Sequence, residues 1–554
     1  MLSLDIFFVF YSDRIEFFTV AVIFEISFIL LICLFLHRKI ISGITGIIKF
    51  EADSSSILSA LFVLYIIYQA TALILYITNF PEIKENELLL FGFGVSVYAV
   101  LNLVSDLINC IREASAFNII STSDKLFVAE KQNYLTSPEK TNVSKKNNTY
   151  KIKKASLISG YFKKTTKNTY ERFNVILIIG IIPVLAFAVG CTVALISKSI
   201  LLGLSIMMMT VLLCAPISSA CFPAIFNFVT SKWLKRYSAA LIGTDAAEEY
   251  VAADTLIFND TDAVAVSAYT EIRPGKCSDT HDTLEIAYQV FKTLNGPLSK
   301  ACEAQIGSIY NADHALVINE ISDNGIDIYY DNAINILIGD KYFMKAHKIK
   351  VKTDTNLTAA VKGLDRSVIY LAFNGVPKLG FIISSKVNNS FIQITHALEE
   401  ACIKVMVETY EPQINQIYFE QNMGPNSPPV GVIKPDTYDD ENLDSVCNSG
   451  IVSSADSISV AKSILLSRYK VKHKKSLKLI ERAVMIGEIV LAMVLASICC
   501  FNAQYGILQG IFNNIISIFY TAMFLGATPG IIKLILINRR HTAKHKQNGD
   551  KKQK

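Results

Sequence analysis

Seven apolar runs, at residues 16–36, 56–79, 88–110, 173–195, 200–228, 483–502 and 507–537, set the terms on which this 554-residue chain can fold. Each approaches or exceeds the length of about 20 residues that carries a helix across a bilayer. Lipid offers no water to unpaired backbone groups, so such runs cross as helices. The first run is too long for a cleaved signal peptide, and it lacks a basic start and a small-residue cleavage site. Charged residues are only 18% of the chain and the mean hydropathy is +0.38, yet the stretch 237–482 reads as a sizeable water-soluble region. The chain therefore combines a helical polytopic membrane part, of about seven spans, with a soluble domain.

The eleven cysteines form no CxxC pair, and several lie in the apolar runs. That argues against a disulfide framework and against a thiolate metal-binding module. The pI near 8.4 comes from basic loops beside the membrane, so nucleic acid is not an expected partner and the lipid bilayer is. His37-Arg38-Lys39, the Lys-rich 125–167 loop and the tail from Arg539 to Lys554 mark the cytoplasmic side, because retained basic residues orient spans. Pro81–Glu87, with three glutamates and one lysine, belongs outside. Seven spans then put the amino terminus outside and the carboxyl tail in the cytoplasm of a cell-membrane protein.

The run at 200–228 is broken by Pro216 and Pro223, which remove backbone hydrogen bonds and can expose carbonyls at mid-membrane. Cys214, Ser218, Ser219 and Cys221 offer soft or hydroxyl ligands there, although small residues at a helix-packing surface are the simpler explanation. Downstream, Ala253–Phe258 is a short apolar run of the kind a buried parallel strand needs, and it ends in Asn259-Asp260-Thr261-Asp262. Ala401-Cys402-Ile403-Lys404-Val405-Met406-Val407 is a second such run. Any doubly wound α/β domain would supply strands like these. Glu25 and Asp106 are acids inside apolar runs, where an ionisable residue marks either a functional site or a helix end.

The order of these pieces resembles the membrane-to-catalytic junction of P-type cation-transporting ATPases, and most the heavy-metal subgroup. Ala240-Leu241-Ile242-Gly243 and Ala247-Glu248 match the family's connecting segment, and Asp254-Thr255-Leu256-Ile257-Phe258 matches the strand before its DKTGT motif. The resemblance covers roughly 56–110 and 173–540. It implies 1–110 as leading membrane helices, 173–236 as a helix pair with the Pro-broken helix, 476–540 as the final pair and 541–554 as a basic tail. It also implies a phosphatase-like phosphorylation domain from 237–270 and 395–475, interrupted by a β-rich, nucleotide-binding-like insert at 275–390. In that insert Tyr288–Ile306 is similar to the family's HP-containing helix, Asp323-Asn324-Gly325-Ile326 to its GKGV turn and Ile338-Gly339-Asp340 to its VGN turn. Ser367–Gly375 matches a late strand pair, Asn374-Gly375 being a strong hairpin signal. The 111–172 segment holds about 60 residues, rich in Lys, Asn, Ser and Thr, where the family's actuator domain needs on the order of 100. It is expected to be a short, solvated loop, with Leu135–Glu139 a chance echo of the TGE motif.

Against the motifs of the same family, the chemistry is depleted. Covalent phosphoryl transfer needs a carboxylate nucleophile, a phosphate-holding Lys or Thr, and carboxylates for Mg²⁺. Asn259 stands in the nucleophile's place, Asp260 in the place of Lys, and Thr261 is retained. The TGD triplet reads Glu408-Thr409-Tyr410. Gly296 replaces the HP histidine beside Pro297, Asp323 replaces the first glycine of GxG, and Gly325 and Gly339 remain as degenerate nucleotide-site glycines. Gly431–Asp436 and Ser449–Ile451 resemble the strands flanking the GDGxND magnesium loop, which is itself missing from between them. In the membrane, the family's CPC cysteines are replaced by Ala215 and Ile217. Cys214, Pro216, Cys221 and Met523 are left as weak metal-site candidates, and Met523 reads more simply as packing.

The expected function is that of a P-type ATPase-like pseudoenzyme with a binding, regulatory or scaffold role, in contact with lipid and with a pump or another membrane protein as partner. No cofactor is expected. A rival is an active ATP-driven cation transporter with its site rearranged around Asp260, reached by a slip in register; only that reading brings ATP and Mg²⁺. A membrane sensor with an unrelated α/β domain is a third.

Overall fold

The computed structural model describes residues 15–50, 54–78, 91–123, 125–132, 148–165, 180–215, 217–243, 245–264, 269–274, 280–294, 296–299, 316–331, 333–351, 366–435, 446–505 and 508–550. They divide into two compact units, Met1–Ser115 with Thr165–Trp233 and Tyr469–Lys554, and Ala116–Lys164 with Leu234–Arg468.

The first unit is built from helices, three of which (α3, α6 and α7) run on into the second: α1 (Ile15–Ile48), α2 (Ser54–Ile77), α3 (Gly92–Ser121), α4 (Ile182–Ser197), α5 (Ile200–Cys214), α6 (Ile217–Lys235), α7 (Ser457–Tyr505), α8 (Leu508–Leu525) and α9 (Thr528–Asp550). Four stretches among the described residues are long and apolar enough to cross a membrane: Ser55–Ile74, Gly92–Ser121, Ser457–Asn502 and Ser517–Arg539. The chain is thus a multi-pass membrane protein. α4 and α5 form a tight hairpin. Lys198 closes α4 in the left-handed region, at φ 55°, and Ser199 caps α5 by accepting from Leu202 N at 3.3 Å. Gly190 and Gly203 let the two helices touch, because a Cβ on Gly203 would come within 2.6 Å of Ala194 Cβ. Small residues at such crossings give membrane helices their close packing.

Two apolar runs are split. The 200–228 run breaks between α5 and α6, on either side of Pro216, which lies outside the described residues. The 507–537 run ends as α8 at Leu525 and restarts as α9 at Thr528. Proline suits a first helical turn, where its missing N–H has no partner to lose, and Pro529 sits in that position.

Strands in the second unit are β1 (Leu126–Gln132), β2 (Thr149–Ala155), β3 (Leu157–Ile158), β4 (Ala239–Leu241), β5 (Thr255–Asn259), β6 (Tyr269–Pro274), β7 (Leu316–Ser322), β8 (Gly325–Tyr330), β9 (Ile334–Gly339), β10 (Arg366–Phe373), β11 (Val376–Ser384), β12 (Lys404–Glu408), β13 (Val430–Ile433), β14 (Val446–Cys447) and β15 (Ile451–Ser453). A seven-stranded sheet runs in the order β13-β12-β5-β2-β1-β15-β4. β5 pairs in parallel with β12 on one side and β2 on the other. Thr255, Leu256, Ile257 and Phe258 are all buried, which is why that strand reads as a continuous apolar run. The Phe258 and Phe391 rings meet edge-on, centroids 5.3 Å apart, and fasten helix Asn389–Glu400 to the sheet.

The 111–172 segment departs from the solvated loop expected of it. Its described part includes the end of α3 and a β1–β2 hairpin that enters the middle of the sheet. Tyr150, Lys151 and Ile152 are buried, and the Lys151 ammonium pairs with Glu408 at 2.9 Å, both side chains being less than a tenth exposed. A lysine content that reads as solvation thus includes one lysine matched to a buried carboxylate. Leu135–Glu139 lies outside the described residues.

A six-stranded antiparallel sheet, β6-β11-β10-β9-β8-β7, takes five strands from the insert and its edge strand β6 from just before the expected 275 boundary. Helix Thr280–Leu294 lays Ala287, Val290, Phe291 and Leu294 on Ile326, Ile328, Ile336 and Leu371. The β10–β11 turn places Asn374 and Gly375 at φ 47° and 80°, the pair of positive angles that an Asn-Gly hairpin turn requires.

Candidate functional site

The site lies at the carboxyl edge of the seven-stranded sheet, where ligands bind in open α/β folds. β5 and β12 run side by side with Asn259 opposite Glu408. One residue further on, Thr409 Oγ1 donates to Asp260 Oδ2 at 2.7 Å. The same hydroxyl accepts from Glu411 N at 3.0 Å, and Thr409 N donates to Ile433 O at 3.1 Å. β13 thereby joins the cluster, and just beyond its end Lys434 Nζ donates to Glu411 O at 2.6 Å. Glu411 Oε1 accepts from Leu298 N, in the insert, at 2.7 Å, and its Oε2 accepts from Gln413 Nε2.

Burial sets the electrostatics. Asp260, 6% exposed, is pushed up to about 7 because burial outweighs the hydrogen bonds from Thr409 and the Thr261 N–H and the nearby Lys434 charge. Glu411 is raised well above the carboxylate range, first by burial and then by the charge of Asp260. Burial lowers Lys434 to about 8, against the pull of Asp260, Glu411 and Asp323. The group is a half-buried lysine set beside two buried carboxyls, each of which raises the cost of ionising the other.

Asn259 is half-buried and makes no capping bond to the Asp260–Ala263 turn that follows it. Thr261 is half-buried beside it. Gly296 and Pro297 are buried against the cluster, and a Cβ on Gly296 would fall 2.1 Å from Glu411 Oε1. The glycine is what lets this turn close on the carboxylate. Gly325 and Gly339 face each other across β8 and β9, and Cβ atoms there would meet the Phe343 ring at 2.3 and 2.5 Å. Both glycines serve ring packing within the insert.

Among the membrane candidates, Cys214 and Cys221 are buried. The Met523 sulfur lies beside Leu212 next to Gly94, a packing contact. Glu488 packs on the α8–α9 break, its Oε1 2.2 Å from where a Gly526 Cβ would stand. No group of three or more His, Cys, Asp or Glu suited to holding a metal occurs among the described residues.

Motif reading singles out Asn259, whereas strand pairing brings Asp260 to Thr409. Moving one residue along on both strands keeps the β5–β12 register and reads Asp260-Thr261-Asp262 with Thr409-Tyr410-Glu411. Glu411 and Lys434 are site residues that motif reading misses. The prolines that follow each, Pro412 and Pro435, are the signal that both stand where a strand gives way to a loop.

No known family model matches the chain, and no curated protein does. Among solved structures it is similar to a zinc-transporting PIB-type ATPase in the E2.Pi state, at 13% identity over 96% of this chain and 99% of the other, with a TM-score of 0.46. A second structure of a zinc-transporting PIB-type ATPase, in another state, gives 12% identity, the same coverage and 0.46. The catalytic domain of the CPx-ATPase CopB-B is similar at 16% identity over 37% of this chain and 69% of that one, with 0.22. The described residues thus combine membrane-length apolar helices with a seven-stranded sheet built from separate chain segments and a six-stranded antiparallel sheet.

Proposed function

We propose that this P-type ATPase-like membrane protein does not pump, and that it acts as a binding, regulatory or scaffold component beside another membrane protein. The observation that carries this reading is the internal use of Asp260 and Glu411 at the sheet edge. Glu411 commits its carboxylate to Leu298 N and Gln413, and Asp260 is buried against Thr409. Mg²⁺ demands octahedral oxygen ligands, normally carboxylates with several waters. Here the nearby cation is the Lys434 ammonium, and the donor set among the described residues does not fit the metal. Asn259, an amide at the end of β5, cannot act as a nucleophile.

A second reading, an ATP-driven cation transporter with a rearranged site, is favoured by the Asp260–Thr409 bond, which presents a carboxyl in line with β5. Incubating the purified protein with γ-labelled ATP separates the two. No acid-stable phosphoenzyme is expected, and Asn259→Asp restores none, because losses within one catalytic unit do not rescue each other. A hydroxylamine-sensitive label on Asp260 would overturn the pseudoenzyme and promote the transporter. For orientation, we infer an external amino terminus and a cytoplasmic carboxyl tail from the basic segments. A tag at residue 3 accessible only from the cytoplasmic face would contradict it.

A further inference from the structure

A buried polar cluster in the first membrane helices has no part in the reading above. Glu25 of α1 lies near the centre of the 16–36 run and is fully buried, as are Tyr65 and Gln69 of α2. Tyr65 Oη donates to Glu25 Oε2. Gln69 Nε2 donates to the same oxygen at 2.8 Å and to Tyr65 Oη at 2.6 Å. Tyr65 and Gln69 stand one helical turn apart, so both reach the carboxylate from one face of α2. Alongside, Tyr68 Oη lies 3.1 Å from Ser205 Oγ of α5. The amide of Gln69 is therefore held by its nitrogen end, and its Oε1 is buried with no hydrogen-bond partner among the described residues. A stranded acceptor of this kind is costly in apolar surroundings, and ionisable residues at such depth mark ion pathways.

We propose that Glu25 and Gln69, positioned by Tyr65, bind a single alkali-metal cation, Na⁺ or K⁺, within the membrane-spanning helices. The donor set is all oxygen, a carboxylate with an amide carbonyl and neighbouring hydroxyls, which suits hard cations rather than the soft metals that cysteine and methionine select. Glu25 contributes one negative charge, and α2 carries no charged residue. A monovalent ion thus balances the carboxylate, whereas a divalent one would leave a net charge in hydrocarbon. The site is separate from Cys214, Cys221 and Met523, and it does not depend on whether Asp260 is phosphorylated.

Equilibrium binding of radiolabelled sodium to the full-length protein in detergent, with N-methylglucamine as the balancing cation, tests this. One saturable site per chain, competed by K⁺, is expected. Gln69→Leu should weaken it roughly ten-fold, the loss of one polar contact, and Glu25→Gln should abolish it. Tyr65→Phe keeps the ring and removes only the hydroxyl, so it should weaken binding several-fold while eluting as a folded protein. Absence of saturable binding to the wild type overturns the proposal, as does binding that survives Glu25→Gln. An infrared carboxylic-acid band at neutral pH that Glu25→Gln removes and sodium leaves unchanged would also overturn it, assigning the site to a proton.

Discussion

Replacing Asp260 by Asn should make the sheet edge more stable at neutral pH. A carboxyl whose folded value is raised from 3.8 to about 7 holds its proton more tightly in the folded chain than in the unfolded one. Its contribution is therefore most favourable below about pH 4 and is lost as pH rises towards 7. At about 1.4 kcal/mol per unit, the full span corresponds to roughly 4 kcal/mol. Asparagine keeps an oxygen for the Thr409 hydroxyl, now 2.7 Å from Asp260 Oδ2, and has no proton to lose. It also deprives Lys434 of a counter-charge, so the net gain at pH 8 should be about 1–4 kcal/mol. Lys434 itself works in the opposite sense and higher, between about 8 and 10.5, clear of the window. Amide hydrogen exchange on the full-length protein in detergent, followed over residues 254–264 and 403–411 from pH 5 to pH 8, reads the local stability. The wild type should lose protection as pH rises, after correction for intrinsic rates, and Asp260→Asn should flatten that slope by about one proton. An unchanged slope, or a variant less protected at pH 8, refutes the argument.

Lys151→Ala leaves Glu408 buried without its 2.9 Å partner and should cost about 3–5 kcal/mol, seen as faster exchange across Thr149–Ala155. The Lys151→Ala/Glu408→Ala double variant should recover part of that loss. Gly296→Ala sets a methyl group 2.1 Å from Glu411 Oε1 and should cost about 2–4 kcal/mol through overpacking and the broken bond to Leu298 N. Adding Glu411→Ala should relieve the clash, and equal destabilisation with and without it would place the strain elsewhere.

Apolar pattern carries much of the fold. Thr255–Phe258 reads as a buried strand because both of its faces are covered, Lys404–Val407 because Val405 and Val407 are buried, and Asn374-Gly375 reads as a hairpin because such residues accept its two positive φ angles. The break in the 507–537 run is signalled by Gly526 and Pro529. What stays hidden depends on long-range partners. Lys151 looks like any other lysine of a basic segment until Glu408, 257 residues away, is placed beside it. The Asp260–Thr409 contact is hidden for a related reason. Motif matching aligns letters along one strand, while the pairing of β5 with β12 decides which residues face each other beyond their ends, and that pairing selects Asp260 and Thr409.

The two departures from expectation are linked through β12. Glu408, its last residue, is neutralised by a lysine from the 111–172 segment. Thr409 and Glu411, just beyond, are engaged by Asp260, Leu298 and Lys434. An edge that binds phosphate and Mg²⁺ must keep its acids ionised and open to ligand, and buried acids pay heavily for that in the empty state. Once neighbouring segments supply a lysine and backbone donors, the empty edge becomes the stable one. A ligand seeking Glu411 would have to compete with Lys434 and the Gly296–Leu298 turn.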